Sequence, residues 1–141
     1  MREAIREAEE ALRSQDQPVG AVIVHQGRVV ARAHHQVKLL HDPTAHAVLV
    51  AITQAANALP SNQLQDTTVY TTLEPCAMCV GALFLSEVSR LVYGATNAQL
   101  GACGTLIDLT AHERLNRHLT VVRHVLSNEC QALLRKVTTQ H

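Results

Sequence analysis

The chain has 141 residues, of which 47% are hydrophobic and 17% charged, so we expect a single domain over residues 1–141 with a substantial core. Twelve basic and twelve acidic residues cancel, which excludes recruitment of nucleic acid or membrane by a strong overall field. The four cysteines do not form a secreted disulfide pattern, and we find neither a signal peptide nor an apolar run of the roughly 20 residues that span a bilayer. The composition therefore predicts a cytoplasmic protein with no membrane segment.

The predicted elements alternate between helices and strands along the chain. Helical spacing of apolar residues, β-branched runs and glycine-bearing turns predict, in order, a helix over 1–14, strands over 19–24 and 29–33 joined as a hairpin, a helix over 43–59, a strand over 67–72, a helix over 77–88, a strand over 90–94, a glycine-rich loop over 94–104, a strand over 119–126 and a helix over 129–137. This order predicts an α/β fold with three α/β/α layers and a five-stranded mixed sheet.

Two short stretches, each expected to begin a helix, read DPTAHAV and LEPCAMC. Asp42 and Glu74 stand where an N-cap residue is favoured. Pro43 and Pro75 follow at the first helical position, where the missing N–H has no consequence. The sequence therefore predicts helices that start at these two prolines.

The same stretches carry candidate metal ligands. Cys76 and Cys79 are three residues apart, so they share one helix face, and His46 supplies a third ligand thirty residues upstream. One histidine and two cysteines form a catalytic zinc site that leaves the fourth position for water. The competing interpretations are a redox-active cysteine pair and a buried core histidine. The combination of the two stretches favours a zinc site.

These residues resemble the zinc-dependent cytidine and nucleobase deaminases, whose signature is a histidine on one helix and Pro-Cys-x-x-Cys on another. Within that family the chain is most similar to the bacterial tRNA-specific adenosine deaminases. The similar stretches are residues 18–22, 41–47, 72–76, 94–95, 101–104 and 129–134. The resemblance implies a cytidine-deaminase-like fold, a bound Zn²⁺ ion and hydrolysis of adenine to hypoxanthine.

One family position differs. The resemblance implies that zinc supplies hydroxide to the amino-bearing ring carbon, while a glutamate two residues after the ligand histidine carries the proton. Val48 occupies that catalytic position here, and valine has no proton to give. General acid–base catalysis contributes about 10²–10⁴-fold, so we predict little or no turnover. The metal site should survive, because Val48 ligates nothing.

Three explanations of Val48 remain open. The chain is an inactivated enzyme that keeps its pocket, or a non-catalytic subunit that partners an active deaminase, resembling the inactive subunit of the eukaryotic tRNA deaminase. In the third, another group has taken over proton transfer. His35 is that candidate, because it falls where the family has an asparagine that holds the base or its sugar, and imidazole titrates near neutral pH. The plainest alternative is a structural role for zinc, in which the ion stabilises the fold and the protein binds no small molecule.

The resemblance also assigns roles around the metal. It implies that Glu74 orients the site through its loop and that His35, Asp42, Ala47 and Pro75 contact the substrate. The substrate would be tRNA, but two tyrosines and one phenylalanine offer few stacking platforms, which leaves a free nucleobase or nucleoside such as guanine or cytosine open. Family members assemble as dimers or tetramers, so we expect a homodimer.

Overall fold

The computed structural model describes residues 1–115 and 118–138, which form one five-stranded sheet flanked by helices. The elements are α1 Arg2–Arg13, β1 Gly20–His25, β2 Arg28–His34, α2 Val37–Leu40, α3 Ala47–Ala58, β3 Thr67–Leu73, α4 Ala77–Leu85, β4 Arg90–Ala95, a 3₁₀ turn Glu113–Leu115, β5 Thr120–Val122 and α5 Ser127–Thr138. No helix in these described ranges has the length and apolarity needed to cross a membrane.

The sheet is mixed, with strand order β2-β1-β3-β4-β5. Strand β1 runs antiparallel to both β2 and β3, while β3, β4 and β5 run parallel. Parallel neighbours need a crossover, and α4 supplies it between β3 and β4. The predicted five-stranded mixed sheet with an antiparallel first pair is confirmed, whereas the described residues between β4 and β5 contain a 3₁₀ turn in place of a crossover α-helix.

The sheet is covered on both faces. Successive residues of a strand point to opposite faces, and Ala21, Val22 and Ile23 of β1 are all buried. Helix α1 packs against α5, and α3 packs against α4. The predicted α/β/α layering follows from these contacts. Cys103 and Cys130 are buried in this core, as is typical of free thiols.

The predicted hairpin between β1 and β2 is confirmed, but its connection is two residues long instead of the predicted four, because His25 and Arg28 pair with each other as strand residues. Gln26 and Gly27 both have positive φ angles, 51° and 75°. A turn with two positive φ angles matches the right-handed twist of the strands, and glycine adopts it without strain.

Four chain segments meet at one edge of the sheet. Because β1 is antiparallel to its neighbours, the start of β1 lies beside the ends of β2 and β3. The end of β4 lies beside the end of β3, where Leu73 pairs with Ala95. The residues that follow β2, β3 and β4 are therefore brought together, and both sequence motifs lie at this edge.

The helix starts predicted at the two prolines are wrong. Helix α3 begins at Ala47 with His46 as its N-cap, and α4 begins at Ala77 with Cys76 as its N-cap. Asp42 instead closes a local turn, in which Oδ1 accepts hydrogen bonds from the backbone N–H of Thr44 at 2.8 Å and from its hydroxyl at 2.7 Å. Such side-chain bonds to nearby backbone compete with helix formation. Glu74 is buried and caps no helix.

The C-terminal strand is shorter than the predicted range 119–126. Only three residues, Thr120 to Val122, pair with β4. His124 and Leu126 have positive φ angles of 63° and 52°, which end the extended conformation. Helix α5 then begins two residues earlier than predicted. The short helix α2 was not predicted, because its four residues carry no helical periodicity of their own.

Candidate metal centre and adjoining cavity

Three side chains from two helix starts converge at the sheet edge. The Nδ1 atom of His46 lies 3.6 Å from Sγ of Cys76 and 3.6 Å from Sγ of Cys79. The three potential ligand atoms all lie within 4.8 Å of one another. Among residues 1–115 and 118–138, this is the cluster of histidine, cysteine and acidic side chains that could hold a metal ion.

The spacing of these atoms fits a tetrahedral zinc ion. With Zn–S bonds of about 2.3 Å and a Zn–N bond of about 2.0–2.1 Å, nitrogen and sulfur ligands of a tetrahedral ion lie roughly 3.6 Å apart. Both measured N–S distances have this value. Two thiols and one imidazole are also a donor set that zinc prefers. Three protein ligands leave one coordination position free.

The backbone explains why the three ligands meet. His46 and Cys76 are both N-cap residues with extended backbones, at ψ angles of 148° and 175°, so their side chains lie beside the first turn of a helix. Cys79 is in that first turn of α4. The positive ends of the helix dipoles of α3 and α4 therefore face the cluster and favour thiolate there.

The two thiols are electrostatically coupled. The hydrogen bond from Cys79, followed by the one with His46, lowers the pKa of Cys76. The hydrogen bond to Cys76 and then burial raise the pKa of Cys79. Cys76 therefore loses its proton easily, while Cys79 keeps its proton. Zinc requires both thiols deprotonated, so binding of the ion displaces the second proton.

A cavity of about 330 Å³ adjoins the three ligands. This volume is at the lower end of the range for small-molecule sites. The cavity lies at the sheet edge where β1 to β4 meet. Its wall comprises Asp16, Gln17, Val19, His35, Val37, Lys38, Pro43, His46, Val48, Thr71, Leu73, Glu74, Pro75, Cys76, Cys79, Asn97 and Leu100.

The two acidic side chains in this wall are committed to hydrogen bonds. Glu74 accepts from the backbone N–H groups of Asn97, Cys103 and Thr105 at 3.2, 2.9 and 3.2 Å, and also from the Thr105 hydroxyl. Asp16 accepts from the N–H of Lys38 at 2.8 Å and so anchors the start of α2. Oxygen atoms that already accept hydrogen bonds from the surrounding backbone are held by the fold and are not free to carry a proton to a ligand.

The family model for the cytidine and deoxycytidylate deaminase zinc-binding region matches residues 1–95. The chain belongs to this deaminase family. It is 42% identical to the tRNA-specific adenosine deaminase of Bacillus subtilis over 134 residues, covering 95% of this chain and 83% of that protein. The family resemblance read from the sequence and the zinc-binding character of the family are thereby confirmed.

Two solved deaminase structures share the fold. A structure from a study of A-to-I editing by tRNA:A34 deaminases has a TM-score of 0.90 and 33% identity, covering 94% of this chain and 96% of that one. A guanine deaminase from Bacillus subtilis has a TM-score of 0.66 and 31% identity, covering 82% and 86%. The cytidine-deaminase-like fold expected from the sequence is confirmed.

Val48 lies in the deaminase cavity itself. It belongs to the first turn of α3, is 3% exposed, and lines the same wall as all three candidate ligands. Its side chain also belongs to the core cluster, so the position is apolar on one side and open to the cavity on the other. Asp16 and Glu74 are the only acids in the described cavity wall, and both are committed elsewhere.

The remaining predicted site residues of this deaminase lie at different depths. His35 and Pro75 line the cavity, whereas Asp42 is half-buried, is absent from the wall and contacts Thr44. Ala47 is fully buried and donates its backbone N–H to Nδ1 of His35 at 2.9 Å. The structure therefore brings His35, Pro75 and the candidate metal ligands together, but does not bring the Asp42 side chain to them.

His35 packs directly on a candidate metal ligand. Its ring stacks on that of His46 with centroids 4.7 Å apart and an interplanar angle of 21°. Burial, followed by the nearby His46, lowers the pKa of His35 to about 4, so the ring is neutral at pH 7. A neutral ring whose Nδ1 already accepts a hydrogen bond is poorly suited to shuttling protons, and the geometry favours a fixed donor.

Sequence reasoning missed Asp16 and Asn97 as parts of this site. Asn97 follows β4 and accepts hydrogen bonds from the N–H groups of Gln99 and Leu100, which shapes the loop over the cavity. Asp16 lines the cavity and accepts hydrogen bonds from the backbone N–H groups of Lys38 and Leu39 in α2. No motif marks either residue. Their position at the shared sheet edge depends on the strand order.

The loop that Glu74 holds passes very close to it at Gly101. A Cβ atom at this position would lie 2.6 Å from Oε2 of Glu74 and 2.5 Å from the carbonyl oxygen of Asn97. We therefore expect Gly101→Ala to lower the free energy of unfolding by about 1–3 kcal/mol, because buried backbone must shift. Chemical denaturation measures this loss.

Gly81→Ala is the matched control for this substitution. Gly81 lies in α4, and a Cβ atom there meets nothing within 4 Å. Alanine is the better helix former, so this variant should gain about 0.5–1 kcal/mol. Equal stability of the two variants would show that the loop does not pack on Glu74 as described.

Proposed function

We propose that the chain is a zinc-dependent hydrolytic deaminase of the tRNA adenosine branch whose turnover is strongly impaired by Val48. The single observation that carries this proposal is the composition of the cavity wall. The wall holds a histidine and two cysteines at zinc-binding distances, yet both of its carboxylates are committed to hydrogen bonds. Metal binding and the ligand cavity are therefore kept, and the proton carrier is missing.

The residues of the cavity wall have separate roles in this proposal. His46, Cys76 and Cys79 would hold the ion, which, when bound, lowers the pKa of a coordinated water towards neutrality. Glu74 fixes the loop with Asn97 at its start and so positions one wall of the cavity. Val48 contributes packing and the exclusion of water but can neither give nor take a proton. The chain as it stands should bind substrate and turn it over slowly.

The substrate class is tested on the Val48→Glu variant. Ammonia release is measured from tRNA, from adenosine and adenine, and from guanine and cytosine with their nucleosides. We expect tRNA to be deaminated fastest, in line with the 42% identity to a tRNA-specific adenosine deaminase. Inactivity of this zinc-loaded variant on every substrate would refute the proposal of an inactivated enzyme.

A free base or nucleoside is the alternative substrate. The neutral net charge and the scarcity of aromatic residues favour it, because RNA-binding surfaces use cations and stacking platforms. The guanine deaminase with the same fold is 31% identical. Faster ammonia release from guanine or its nucleoside than from tRNA would establish this alternative.

We further infer that two copies of the chain pair through α3 and α4. Neither helix contains a charged residue. The outer side of this pair carries Leu85 at 77% exposed and Met78 at 37%, with Phe84 partly exposed. Exposed apolar surface of this kind is typical of an interface. An uncharged surface meets its own copy across a twofold axis without like-charge repulsion.

Leu85→Glu tests this interface. Two copies related by a twofold axis would each bring a carboxylate into the apolar contact, so we expect the dimer to dissociate into monomers. Sedimentation analysis measures the change. Leu115→Glu is the control, since Leu115 is also exposed, at 42%, but lies outside both helices and should leave the dimer intact. Persistence of the dimer in the Leu85 variant would place the interface elsewhere.

A non-catalytic subunit that partners an active deaminase is the second candidate. The apolar α3–α4 surface and Val48 both favour it, since a helper subunit needs an interface and no proton carrier. Co-purification with a relative that has glutamate two residues after its ligand histidine would support this function. A stable homodimer that gains activity with Val48→Glu would count against it.

The four cysteines are consistent with a cytoplasmic setting for either function. All are free thiols in the structure. The two candidate ligands need reduced sulfur to bind zinc, and a reducing compartment keeps thiols in that form.

A further inference from the structure

Arg123 follows β5, and its side chain reaches across to the loop that comes after β4. It lies at the same sheet edge as the cavity, because β4 and β5 are parallel and Val122 pairs with Val92. Its Nε and Nη2 atoms both donate hydrogen bonds to the carbonyl oxygen of Cys103, at 3.2 and 2.9 Å. Arg123 belongs neither to the candidate ligands nor to the cavity wall, so it can act on the site only through the loop that it holds.

The loop narrows to a turn over residues 103–108, and Arg123 contacts both arms of this 103–108 turn. Cys103 and Asp108 pair across its base in an isolated antiparallel bridge. The N–H of Gly104 closes a hydrogen bond of 2.9 Å inside the turn, at a φ angle of 125° that glycine adopts without strain. Arg123 binds the Cys103 carbonyl on one arm, and its Nη2 atom lies 3.9 Å from Oδ2 of Asp108 on the other. The guanidinium therefore clamps the base of the turn.

Cys103 connects this clamp to the cavity wall. The residue is completely buried, and while its carbonyl accepts from Arg123, its own N–H donates to Oε2 of Glu74 at 2.9 Å. The other carboxylate oxygen of Glu74 accepts from the N–H of Asn97 at 3.2 Å, and Asn97 and Leu100 line the cavity. A continuous series of hydrogen bonds therefore runs from Arg123 through Cys103 and Glu74 to the cavity wall.

Packing contributes little to holding the tip of the 103–108 turn, where Leu106 and Ile107 are exposed. In the part of the chain that the structure describes, the side chains that reach the turn from other elements by hydrogen bonds are those of Glu74 and Arg123. Loss of the guanidinium would leave the buried carbonyl that it binds without these donors, and a buried acceptor without a donor is unfavourable. The turn would then open more often and release the carboxylate of Glu74.

We propose that Arg123 is a positioning residue for the ligand cavity. By clamping the 103–108 turn it keeps the Glu74 carboxylate in place, and this carboxylate fixes the cavity wall at Asn97. A ligand binds to molecules in which the wall is in place, so the apparent affinity falls in proportion to the fraction of molecules that keep it there. The assignment rests on the proposed function, because it takes the occupant of the cavity to be a nucleobase.

Amide hydrogen exchange tests the clamp without any ligand. Arg123→Met keeps the apolar stem but has no donor. In this variant the N–H groups of Cys103 and Thr105, both bound to Glu74, should exchange about 5- to 100-fold faster. The N–H groups of β4 report on the whole fold, and their exchange should change much less. Equal acceleration in β4 and in the turn would mean that Arg123 supports only overall stability, and this result overturns the assignment, as does an unchanged rate in the turn.

Equilibrium binding of tRNA, adenosine and guanosine to the zinc-loaded chain tests the link to the cavity. Arg123→Met should bind the preferred ligand about 5- to 100-fold more weakly than the unmodified chain does. Arg123→Lys keeps the charge and can donate to the same carbonyl, so it should recover part of this affinity. Arg90→Met is the control, because Arg90 is exposed at the start of β4, at the end of the strand away from the cavity, and it should leave binding unchanged.

The binding results separate the assignment from the proposed function. Equal affinity of Arg123→Met and the unmodified chain overturns the assignment and leaves the proposed function standing. If none of the three ligands binds the unmodified chain, the nucleobase cavity is refuted and the assignment with it.

A measurement on the unmodified chain keeps the test decisive even if Arg123→Met does not fold. Because coupling between two sites is reciprocal, a bound ligand should strengthen the clamp that favours its binding. The Nε–H group of Arg123 gives its own NMR signal, and we expect the ligand to slow its exchange with water. An exchange rate that the ligand leaves unchanged overturns the assignment.

Discussion

Val48→Glu should raise the rate of ammonia release by about 10²–10⁴-fold, the usual contribution of a positioned general acid–base group. The side chain at position 48 lines the same cavity wall as the three candidate ligands and the buried ring of His35. A carboxylate introduced there is free to carry protons, unlike those of Asp16 and Glu74. The measurement is ammonia release under identical conditions, with both proteins loaded with zinc.

Val48→Gln is the matched control for this gain. Glutamine has the shape of glutamate but cannot transfer a proton, so its rate should stay near that of the unmodified chain. Both variants place a polar group at a site that is 3% exposed, and both should therefore lose stability. A similar gain in the glutamine variant would mean that Val48 limits turnover by its shape and not by its chemistry.

The second large effect is expected for Cys79→Ser. The Sγ atom of Cys79 lies 3.6 Å from Nδ1 of His46. Cys79 is only 2% exposed, so no other side chain can easily take its place as a ligand. Changes to residues that merely support metal ligands lower metal affinity about 10–100-fold, so loss of a ligand should exceed about 100-fold. Competition with a zinc chelator measures the affinity.

Cys130→Ser separates loss of a ligand from loss of a buried thiol. Cys130 is 1% exposed in α5 and lies outside the ligand cluster. The control variant should keep its zinc while it loses some stability, because serine buries a hydroxyl where a thiol packs. Unchanged zinc affinity in Cys79→Ser would remove Cys79 from the coordination shell.

The sequence could predict the two cysteine ligands because their spacing is local, whereas His46, thirty residues upstream, was identified from its own stretch at the start of another helix. Cys76 and Cys79 share one helix turn whichever residue begins the helix, so the wrong start at Pro75 did not affect the metal site. The fold class was equally accessible, because apolar helices alternate with β-branched strands along the chain. By its burial Val48 is an ordinary core residue, and only the family resemblance showed that it stands at the position of the proton-carrying glutamate.

Other features depend on contacts that no local pattern records. Helix α2 is only four residues long and is held by the distant carboxylate of Asp16. The Asp42 side chain accepts hydrogen bonds within its own turn instead of capping a helix, so α3 begins later in the chain than predicted. The donor orientation of His35 follows from an N–H group twelve residues away. Each of these features could be recognised only in the three-dimensional structure.

The coordination shell is the foundation of the whole account, and zinc K-edge X-ray absorption of the unmodified chain tests it most directly. We predict two sulfur neighbours at about 2.3 Å, with the remaining neighbours nitrogen or oxygen at about 2.0–2.1 Å. This is the shell expected from His46, Cys76 and Cys79 with one open position. A shell with no sulfur, or with four sulfurs, would contradict the assignment.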